Sequence, residues 1–442
     1  MRIVVIGTGY VGLVSGACFA DIGHDVTCVD KNPAVLERLG RGEIPIYEPG
    51  LDALVGRGVD AGRLDFAASP GAAVRHADVV FIAVGTPPDD QGDADLSYVF
   101  AAAKEVGPAI ASYTVVATKS TVPVGTGRAV ARIIKEAAPE ADFDIASVPE
   151  FLREGSAVAD FAKPDRIVVG TETDRAASVL RDLHGPLLEG RPDRFVSTKI
   201  ETAELIKYSA NAFLAVKITF INEIADLCER VGANVEDVAR GMGLDSRIGR
   251  WGLSAGPGFG GSCFPKDTSA LAVSAARTGS PTKLVEAAIE INNTRKRTLV
   301  DRVARALGRA LKGKTIAVLG ITFKANTDDV RDSPGIDLVR GLISVGATVR
   351  VFDPQGAEQA RAHIDGVEWC ADAVDAATGA DVVAIVTEWD EFKPGQLDLA
   401  ALQSAMTGTT LVDFRNLFDP EVVLHAGLAY HSVGRQAAEP RA

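Results

Sequence analysis

The stretch Arg2-Ile3-Val4-Val5-Ile6-Gly7-Thr8-Gly9-Tyr10-Val11-Gly12 decides the fold of the N-terminal part of this chain. Its first five residues are typical of a buried parallel strand, and a helical pattern follows the glycines. Gly7 permits a tight turn, Gly9 lets a phosphate group approach the backbone, and Gly12 lets the helix pack closely against the strand. Because amides at a helix N-terminus attract anions, the stretch predicts a site for the pyrophosphate of a dinucleotide.

An acidic residue ends the second strand of the same unit. The run Val26-Thr27-Cys28-Val29 is followed by Asp30, whose carboxylate is placed to accept hydrogen bonds from ribose hydroxyls. Lys31 comes next, and its positive charge weakens the repulsion that Asp30 exerts on a 2′-phosphate. The carboxylate still leads us to expect NAD as the cofactor in preference to NADP.

Polar side chains follow three more predicted strands of this α/β pattern. Thr86, Thr121 and Glu150 each come within a few residues of the carboxyl end of a strand. Ligands of open parallel sheets bind beyond these ends. The three residues are therefore candidate site residues, although each taken singly is equally typical of an ordinary loop.

A cysteine lies in the glycine-rich segment Gly260-Gly261-Ser262-Cys263-Phe264-Pro265-Lys266-Asp267. Pro265 suits the first turn of a helix, where a backbone N–H is not needed. Unpaired amides at a helix entrance stabilise an anion, which favours Cys263 as a nucleophilic thiolate. Asp267 follows one helical turn later and adds a carboxylate. The alternative is a packed loop whose small buried cysteine has no chemical role.

The middle of the chain has a helical texture. Residues 200–231 contain no glycine or proline, which predicts a single helix about 48 Å long, apolar around much of its circumference. Lys207 and Asn211 are four residues apart and therefore project from one face of it. A second long helical pattern covers 282–310, and we interpret its Arg- and Lys-rich part, 295–302, as a solvated face.

The last third of the chain returns to the α/β rhythm, as a weak repeat of the N-terminal part. Its turn Gly320-Ile321-Thr322-Phe323-Lys324 lacks the second and third glycines, so it is poorly suited to a second dinucleotide. Lys324, Arg331 and Arg415 instead place cations near strand ends, where they suit the phosphates of a nucleotide.

These patterns predict the α/β class, with two Rossmann-like doubly wound domains joined by a long central helix and a helical middle domain. The middle domain carries the cysteine segment. The predicted boundaries are 1–199 for the dinucleotide domain, 200–299 for the middle domain, 300–435 for the second Rossmann-like domain and 436–442 for a disordered tail.

Composition narrows the class of protein. The 442 residues carry a net charge of −13, which argues against a nucleic-acid partner. The five cysteines are scattered without Cys-x-x-Cys spacing, so neither a disulfide framework nor a metal site is expected. Without a signal peptide or an apolar run of about 18 residues, we expect a cytoplasmic protein that does not enter a membrane.

Several motifs resemble those of the UDP-glucose/GDP-mannose dehydrogenase family, in the right order along essentially the whole chain. The cysteine motif is the most specific, and Phe264 within it favours the UDP-glucose 6-dehydrogenase branch. The matching motifs lie at Gly7–Gly12, Gly85–Pro87, Ser120–Pro123, Pro149–Gly155, Lys207–Ala212, Arg247–Gly249, Gly258–Asp267 and Phe323–Lys324.

The resemblance implies a four-electron oxidation of a sugar C6 alcohol to a carboxylate, with two NAD⁺ per substrate. It implies that Cys263 captures the intermediate aldehyde as a thiohemiacetal, which becomes a thioester that water hydrolyses. By the same resemblance, Lys207 and Asn211 stabilise oxyanions. Asp267 and Glu150 are the implied proton carriers, and the order in which they act stays open.

The resemblance also assigns binding residues, including Thr121 as the holder of the water. Together with the patterns above, it places cofactor contacts at Gly7, Gly9, Tyr10, Val11, Gly12, Asp30, Lys31, Thr86, Thr121, Glu154, Lys266 and Arg331. It places substrate contacts at Glu150, Phe151, Leu152, Lys207, Asn211, Phe259, Gly260, Lys324 and Arg415. It implies a homodimer through the central helix, in which Arg247 approaches the site from the partner subunit.

Three alternatives stay open. The substrate is UDP-glucose or another nucleotide sugar such as GDP-mannose. The same fold also suits a nucleotide-sugar sensor without catalysis. A two-electron hydroxyacid dehydrogenase needs no thiol, so dependence on Cys263 separates that possibility from the others.

Overall fold

The part of the chain that the computed structural model describes is residues 1–188, 190–308 and 310–440. It forms two compact units, which are residues 1–210 with 269–281 (the first unit) and residues 211–268 with those from 282 onward (the second unit). Each unit contains a largely or wholly parallel sheet of Rossmann type. The predicted α/β class with two Rossmann-like sheets is confirmed.

The first unit is built on an eight-stranded sheet in the order β3-β2-β1-β4-β5-β6-β7-β8. Neighbouring strands run parallel except β6 and β7, which are antiparallel. The strands are β1 Arg2–Ile6, β2 Asp25–Val29, β3 Leu64–Ala67, β4 Val79–Ile82, β5 Thr114–Thr118, β6 Phe143–Ser147, β7 Ile167–Thr171 and β8 Phe195–Thr198.

Helices flank this sheet on both faces. Alternate residues of β1 enter two different apolar cores, Ile3 and Val5 one core and Val4 and Ile6 the other, because side chains alternate across a strand. The helices are α1 Tyr10–Asp21, α2 Pro33–Gly40, α3 Leu51–Asp60, α4 Gly71–Val74, α5 Ser97–Val106, α6 Thr126–Ala137, α7 Ala157–Ala162 and α8 Asp174–Leu188, with 3₁₀ turns at Gly107–Ala109 and Pro192–Arg194.

The second unit contains a six-stranded, wholly parallel sheet in the order β11-β10-β9-β12-β13-β14. This order matches that of the first six strands of the other sheet, so the predicted repeat is confirmed. The strands are β9 Thr315–Leu319, β10 Thr348–Phe352, β11 Glu368–Trp369, β12 Val382–Ile385, β13 Thr410–Asp413 and β14 Ala429–Ser432.

The long central helix, α9, spans Ile200–Val231 as predicted and runs from the first unit into the second. Helix α11 also contributes residues to both units. The helices after α9 are α10 Val235–Gly243, α11 Phe264–Arg277, α12 Lys283–Arg297, α13 Leu299–Ala306, α14 Pro334–Ser344, α15 Ala357–Ala360, α16 Ala373–Ala377, α17 Leu399–Ala405 and α18 Pro420–His425, with a 3₁₀ turn at Asp390–Phe392.

The interpretation of 295–302 as a solvated face was wrong. The predicted single helix over 282–310 is two helices, α12 and α13, which meet at Thr298. Arg295 and Lys296 are buried, because their side chains reach carboxylates and backbone carbonyls of neighbouring elements. Sequence composition could not reveal this, since the buried partners come from distant parts of the chain.

The three-domain division stays a prediction, since residues 200–299 are shared between the two units. In the expected disordered tail, residues 441 and 442 lie outside the described residues. Ala438, which belongs to the same segment, exchanges two backbone hydrogen bonds with Tyr430. This part of the tail is therefore paired with an edge strand, which corrects the expectation of disorder.

The glycines of the first turn have distinct steric roles. Gly7 has φ +101°, a left-handed conformation that L side chains rarely adopt. A Cβ at Gly12 would lie 1.9 Å from the carbonyl oxygen of Gly7, so α1 approaches β1 as closely as its backbone allows. A Cβ at Gly9 would meet nothing within 4 Å, which leaves the space in front of the α1 N-terminus open.

We expect Gly12→Ala to destabilise the protein by about 1–3 kcal/mol or more, because the added methyl overlaps the Gly7 carbonyl. Gly9→Ala is the matched control: φ of −68° suits alanine, so stability should change by less than about 0.5 kcal/mol. Its methyl should instead weaken dinucleotide binding. Thermal unfolding and NAD⁺ titration of both variants measure the two effects, and unchanged stability in Gly12→Ala would contradict this account.

Candidate active site

The acidic residue after β2 lies against the glycine turn. Asp30 accepts hydrogen bonds from the Thr8 amide at 2.9 Å, the Thr8 hydroxyl at 2.6 Å and the Asn32 amide at 2.9 Å. Partial burial opposes ionisation, but these hydrogen bonds prevail and lower the pKa of Asp30. Lys31 forms an ion pair with Glu105. The carboxylate is therefore charged at neutral pH, as a ribose-binding residue should be.

The same turn fits the pyrophosphate of a dinucleotide. No side chain caps the N-terminus of α1 at Gly9, so its first amides stay available to an anion. The open space over Gly9 gives that anion room. These features suit NAD, and the contact between Asp30 and the adenosine ribose stays a prediction.

Glu48 is a residue that the sequence reasoning missed. Its buried carboxylate accepts a short hydrogen bond from the Tyr10 hydroxyl and further bonds from the amides of Gly155, at 2.6 Å, and Ala157, at 2.7 Å. It therefore ties the dinucleotide turn to the segment that carries Glu154. A lone acid before a Pro-Gly turn is a weak signal, so only the structure reveals this role.

The polar residues predicted at the strand ends come together in two places of the first unit. The Thr86 hydroxyl donates to the Thr121 carbonyl at 3.0 Å. Glu150 pairs with Lys207 of α9 at 2.9 Å, and both side chains are about 95% buried, with 5% and 4% exposed. The Leu152 backbone amide also donates to Glu150, at 2.5 Å, so the Glu150 carboxylate accepts hydrogen bonds from both Lys207 and Leu152.

An aromatic ring and a second lysine adjoin this ion pair. The ammonium of Lys207 lies 5.5 Å from the centre of the Phe151 ring. Lys119, which the sequence reasoning did not select, is buried just after β5. Burial lowers the pKa of Lys119 to about 8, with Glu150 opposing the shift and the positive charge of Lys207 reinforcing it.

The predicted nucleophile belongs to the second unit. Cys263 immediately precedes α11, with Pro265 as the second residue of the helix, as the sequence predicts. One turn later, the Asp267 side chain is almost fully buried and accepts two hydrogen bonds of 2.6 Å, one from the Asn211 amide and one from the Lys266 ammonium. Cys263 itself is partly exposed, with the Ser262 hydroxyl 3.5 Å from its sulfur.

The nucleophile loop, residues 256–263, depends on glycine. A Cβ at Gly260 would lie 2.3 Å from the Asp332 carbonyl oxygen. Gly261 has φ +83°, and a Cβ there would meet the Phe323 ring at 2.8 Å. The Gly261 amide donates to the Arg331 carbonyl at 2.8 Å. The two glycines therefore let the loop lie directly against the backbone of a neighbouring turn.

The cations predicted for a nucleotide lie in two places of the second unit. The Lys324 ammonium is 5.5 Å from the Phe323 ring, and the Arg415 guanidinium donates to the Phe323 carbonyl at 2.8 Å. Arg331 forms an ion pair with Asp329 at 2.7 Å. The structure thus brings Lys324 and Arg415 to one turn. The Arg247 side chain is 87% exposed and pairs with Asp245, so it stays a predicted contribution to a partner's site.

The second sheet has its own acid in the position that Asp30 occupies in the first. Asp353 follows β10 and is 5% exposed. Its carboxylate accepts from the amides of Ile321 at 2.6 Å and Thr322 at 3.0 Å, and from the Trp389 indole at 3.2 Å. Both acids thus accept hydrogen bonds from the turn of their own sheet, and the expectation that the second turn holds no dinucleotide stays a prediction.

Three family models match the chain consecutively. They describe the NAD binding domain (residues 1–188), central domain (201–294) and UDP binding domain (317–420) of the UDP-glucose/GDP-mannose dehydrogenase family. The chain belongs to this family. The resemblance seen in the sequence motifs is confirmed, and with it the assignment of NAD as cofactor.

Relatives of the family match over nearly the full length. The UDP-glucose 6-dehydrogenase of Rhizobium meliloti is 53% identical over 98% of this chain and 100% of its own. TuaD of Bacillus subtilis, also a UDP-glucose 6-dehydrogenase, is 48% identical over 99% and 94% of the two chains. The structure of a UDP-glucose dehydrogenase from Pyrobaculum islandicum covers 94% of each chain at 44% identity, with a TM-score of 0.87.

The described residues also bear on membrane insertion and metal binding. Among the helices within 1–188, 190–308 and 310–440, none combines the length and apolarity that crossing a membrane requires. In the same ranges, His, Cys, Asp and Glu side chains form no group of three or more that could hold a metal ion. None of the five cysteines, all of which lie in the described ranges, forms a disulfide bond.

We expect iodoacetamide at pH 8 to alkylate Cys263 well before the other cysteines. Burial raises the pKa of Cys18 and Cys28 to about 12 and shields both sulfurs. Cys370 is the matched control, since it is partly exposed like Cys263 but burial raises its pKa. Peptide mass mapping over time gives the order of reaction. Modification of Cys18 or Cys370 as fast as Cys263 would contradict the prediction.

Proposed function

We propose that this protein oxidises UDP-glucose to UDP-glucuronate with two NAD⁺, by way of a covalent adduct on Cys263. The observation that carries the proposal is the partly exposed thiol at the start of α11, followed one turn later by the buried Asp267 carboxylate. Simple two-electron alcohol oxidation needs no such thiol. The relatives from Rhizobium meliloti and Bacillus subtilis are UDP-glucose 6-dehydrogenases, which supports the same reaction.

The thiol serves to retain the aldehyde that the first oxidation produces. NAD⁺, when bound, accepts one hydride in each of the two oxidations. The Cys263 thiolate adds to the aldehyde carbon, which forms a C–S bond and a thiohemiacetal whose carbon still carries a hydrogen. Loss of that hydrogen as hydride leaves a thioester. Water then breaks the C–S bond, releasing the carboxylate and returning the thiol.

Lys207 and Asn211 act on the charges that develop at the sugar's C6 oxygen. They are one turn apart on α9, so their side chains project from the same side of the helix. An ammonium and an amide held in place before reaction stabilise an oxyanion without reorganisation. Lys207 is held by Glu150 and Asn211 by Asp267, so each oxyanion donor has a carboxylate beside it that can take up a proton.

The second unit supplies the nucleotide contacts in this proposal. The match of residues 317–420 to a UDP binding domain supports a uridine nucleotide. Lys324 and Arg415, which meet at the Phe323 turn, are proposed to face the diphosphate. Phe259 and Gly260 of the nucleophile loop are proposed to line the sugar, and Thr121 to hold the hydrolytic water.

The decisive measurement of the chemistry is the amount of NADH formed per UDP-glucose consumed, which we expect to be two. Cys263→Ala should lose steady turnover by several orders of magnitude yet bind NAD⁺ normally, because the dinucleotide turn lies elsewhere in the chain. Cys370→Ala is the matched control, and it should keep the parent rate.

Four outcomes would overturn parts of the proposal. A ratio of one NADH per substrate, or parent turnover in Cys263→Ala, contradicts the covalent mechanism. In a panel of UDP-glucose, UDP-galactose, GDP-mannose and UDP-N-acetyl sugars, we expect the highest kcat/KM with UDP-glucose. A higher kcat/KM with GDP-mannose would assign the protein to the GDP-mannose branch of the family. If none of the nucleotide sugars is oxidised, a nucleotide-sugar sensor is favoured.

We also propose a cytoplasmic homodimer that forms through α9. Phe213, Phe220 and Leu227 recur every seven residues on this helix and are 65%, 44% and 53% exposed. Such spacing is typical of a helix seam that packs against another helix. A second copy of the chain, presenting the same seam, is the proposed partner. The absence of disulfide bonds among the five described cysteines agrees with a reducing compartment.

We expect Phe220→Asp to convert the dimer to a monomer, because it places a charge in the middle of the apolar seam. Val59→Asp on α3 is the matched control, since Val59 is an apolar residue of similar exposure, 46%, outside the seam. Sedimentation velocity at micromolar concentration separates the two states. A parent protein that is already monomeric, or a dimeric Phe220→Asp, would contradict the proposal.

A further inference from the structure

The nucleophile loop is held by buried side chains of α9 and α12, one of which, Arg295, lies in the run 295–302 that the sequence marked as a solvated face. The loop belongs to no strand, so hydrogen bonds to its backbone come from outside a sheet. Buried amide and guanidinium groups of α9 and α12 supply several of these hydrogen bonds. All the residues concerned belong to the second unit.

Asn292 of α12 forms a two-point contact with Phe259. Its side-chain oxygen accepts from the Phe259 amide at 2.8 Å, and its side-chain nitrogen donates to the Phe259 carbonyl at 3.0 Å. Both residues are buried, at 4% and 6% exposure. A single side chain thus satisfies both backbone groups of one loop residue, as a neighbouring strand would.

The approach of Asn292 requires the glycine that precedes Phe259. Gly258 has φ +118°, and a Cβ there would lie 2.8 Å from the Asn292 side-chain oxygen. The loop and the amide are therefore fitted to each other, and neither has space to move independently. The contact fixes the orientation of the Phe259 peptide.

A second pair of side chains holds the start of the loop. The Asn222 oxygen accepts from the Gly256 amide at 2.8 Å, and the Arg295 guanidinium donates to the Gly256 carbonyl at 2.7 Å. Arg295 is itself fixed by Asp226, at 2.9 and 3.0 Å. The loop is thus clamped at two residues, three positions apart, just before it reaches the cysteine.

We propose that Asn292 is a positioning residue for the nucleophile loop, whose amide sets the place of Phe259 and, four residues on, of Cys263. This inference rests on the proposed role of Cys263. Asn292 touches neither the thiol nor the sugar in this account and acts through the loop backbone. Since a misplacement of about 1 Å at a reacting centre costs about 100-fold in rate, a clamp on this backbone has a direct kinetic consequence.

The exchange Asn292→Asp tests the proposal, because the effect of a carboxyl group depends on its protonation. An ionised carboxylate keeps the acceptor for the Phe259 amide but opposes the Phe259 carbonyl, where a donor is needed. A protonated carboxyl group has one donor and one acceptor and reproduces the pattern of the amide. Burial favours the protonated form, so the change should fall within an accessible pH range.

The charged groups close to this position are already paired. Arg295 and Lys296, on the same helix, form ion pairs with Asp226 and with Asp337. Their positive charges favour the ionised form of the introduced carboxyl group, whereas burial favours the protonated form. The measurement therefore spans pH 5.5 to 9 and uses the ratio of variant to parent at each pH, which cancels the titration that both proteins share.

We expect the kcat of Asn292→Asp to be about one-tenth of the parent value or less at pH 9, and the ratio to rise several-fold toward pH 5.5. The rate of iodoacetamide alkylation at Cys263, again relative to the parent, should follow the same trend. The affinity for NAD⁺ should stay within twofold. Asn293→Asp is the matched control: Asn293 is the exposed neighbour, and its variant should show a flat ratio near one.

A purely structural role gives a different result. In that case Asn292→Asp lowers the melting temperature, but kcat, KM and the alkylation rate per folded molecule equal those of the parent at every pH, which overturns the proposal. A reduced kcat ratio that is flat with pH also overturns it. If Asn292→Asp does not fold, Asn292→Ala removes both the donor and the acceptor of the two-point contact without adding a charge, and parent kcat in that variant overturns the proposal.

Failure of the proposed function is distinguishable from failure of this inference. A parent protein that does not oxidise UDP-glucose contradicts the proposed function but not the proposed role of Asn292. The relative alkylation rate of Cys263 then still reports whether Asn292 positions the loop, because it requires no substrate.

Discussion

The hydrogen bonds to the carboxylate of Asp267 constrain the part of the structure on which the proposed chemistry depends. This group is buried, and an unpaired charge at such a place costs about 3–5 kcal/mol, a large part of the ~5–15 kcal/mol that separates a folded protein from its unfolded state. Asn211 and Lys266 supply the necessary partners at 2.6 Å. Folding of this region therefore requires α9 and the start of α11 to meet, which leaves Cys263 at the helix entrance.

Helix α9 also carries a buried charged group, Lys207, one turn before Asn211. Lys207 pairs with Glu150, so α9 carries an ammonium and an amide whose partners are both carboxylates. A buried ion pair contributes little net stability, because desolvation offsets most of the attraction. In the proposed reaction, its value is that both groups are held before a substrate arrives, since donors already in place stabilise an oxyanion without reorganisation.

The two Rossmann-like sheets show how one strand order serves two ligands. Asp30 receives hydrogen bonds from its own turn, beside a helix N-terminus that no side chain caps and a glycine with open space above it. Asp353 is buried under the amides of Ile321 and Thr322 and the Trp389 indole. The second turn lacks the second and third glycines of the first, and residues 317–420 match a UDP binding domain rather than an NAD binding domain.

Short-range patterns in the sequence were sufficient for much of this protein. The glycine turn at Gly7–Gly12, the helix at 200–231 and the cysteine before α11 all depend on residues close in the chain, whose conformational preferences are local. Tertiary structure alone decided which charges are buried. Arg295 looked like part of a solvated run, and Asn292 and Glu48 looked ordinary, because their partners at Gly256, Phe259 and Gly155 are distant in sequence. Burial and hydrogen-bond pairing arise only when the folded chain brings such groups together.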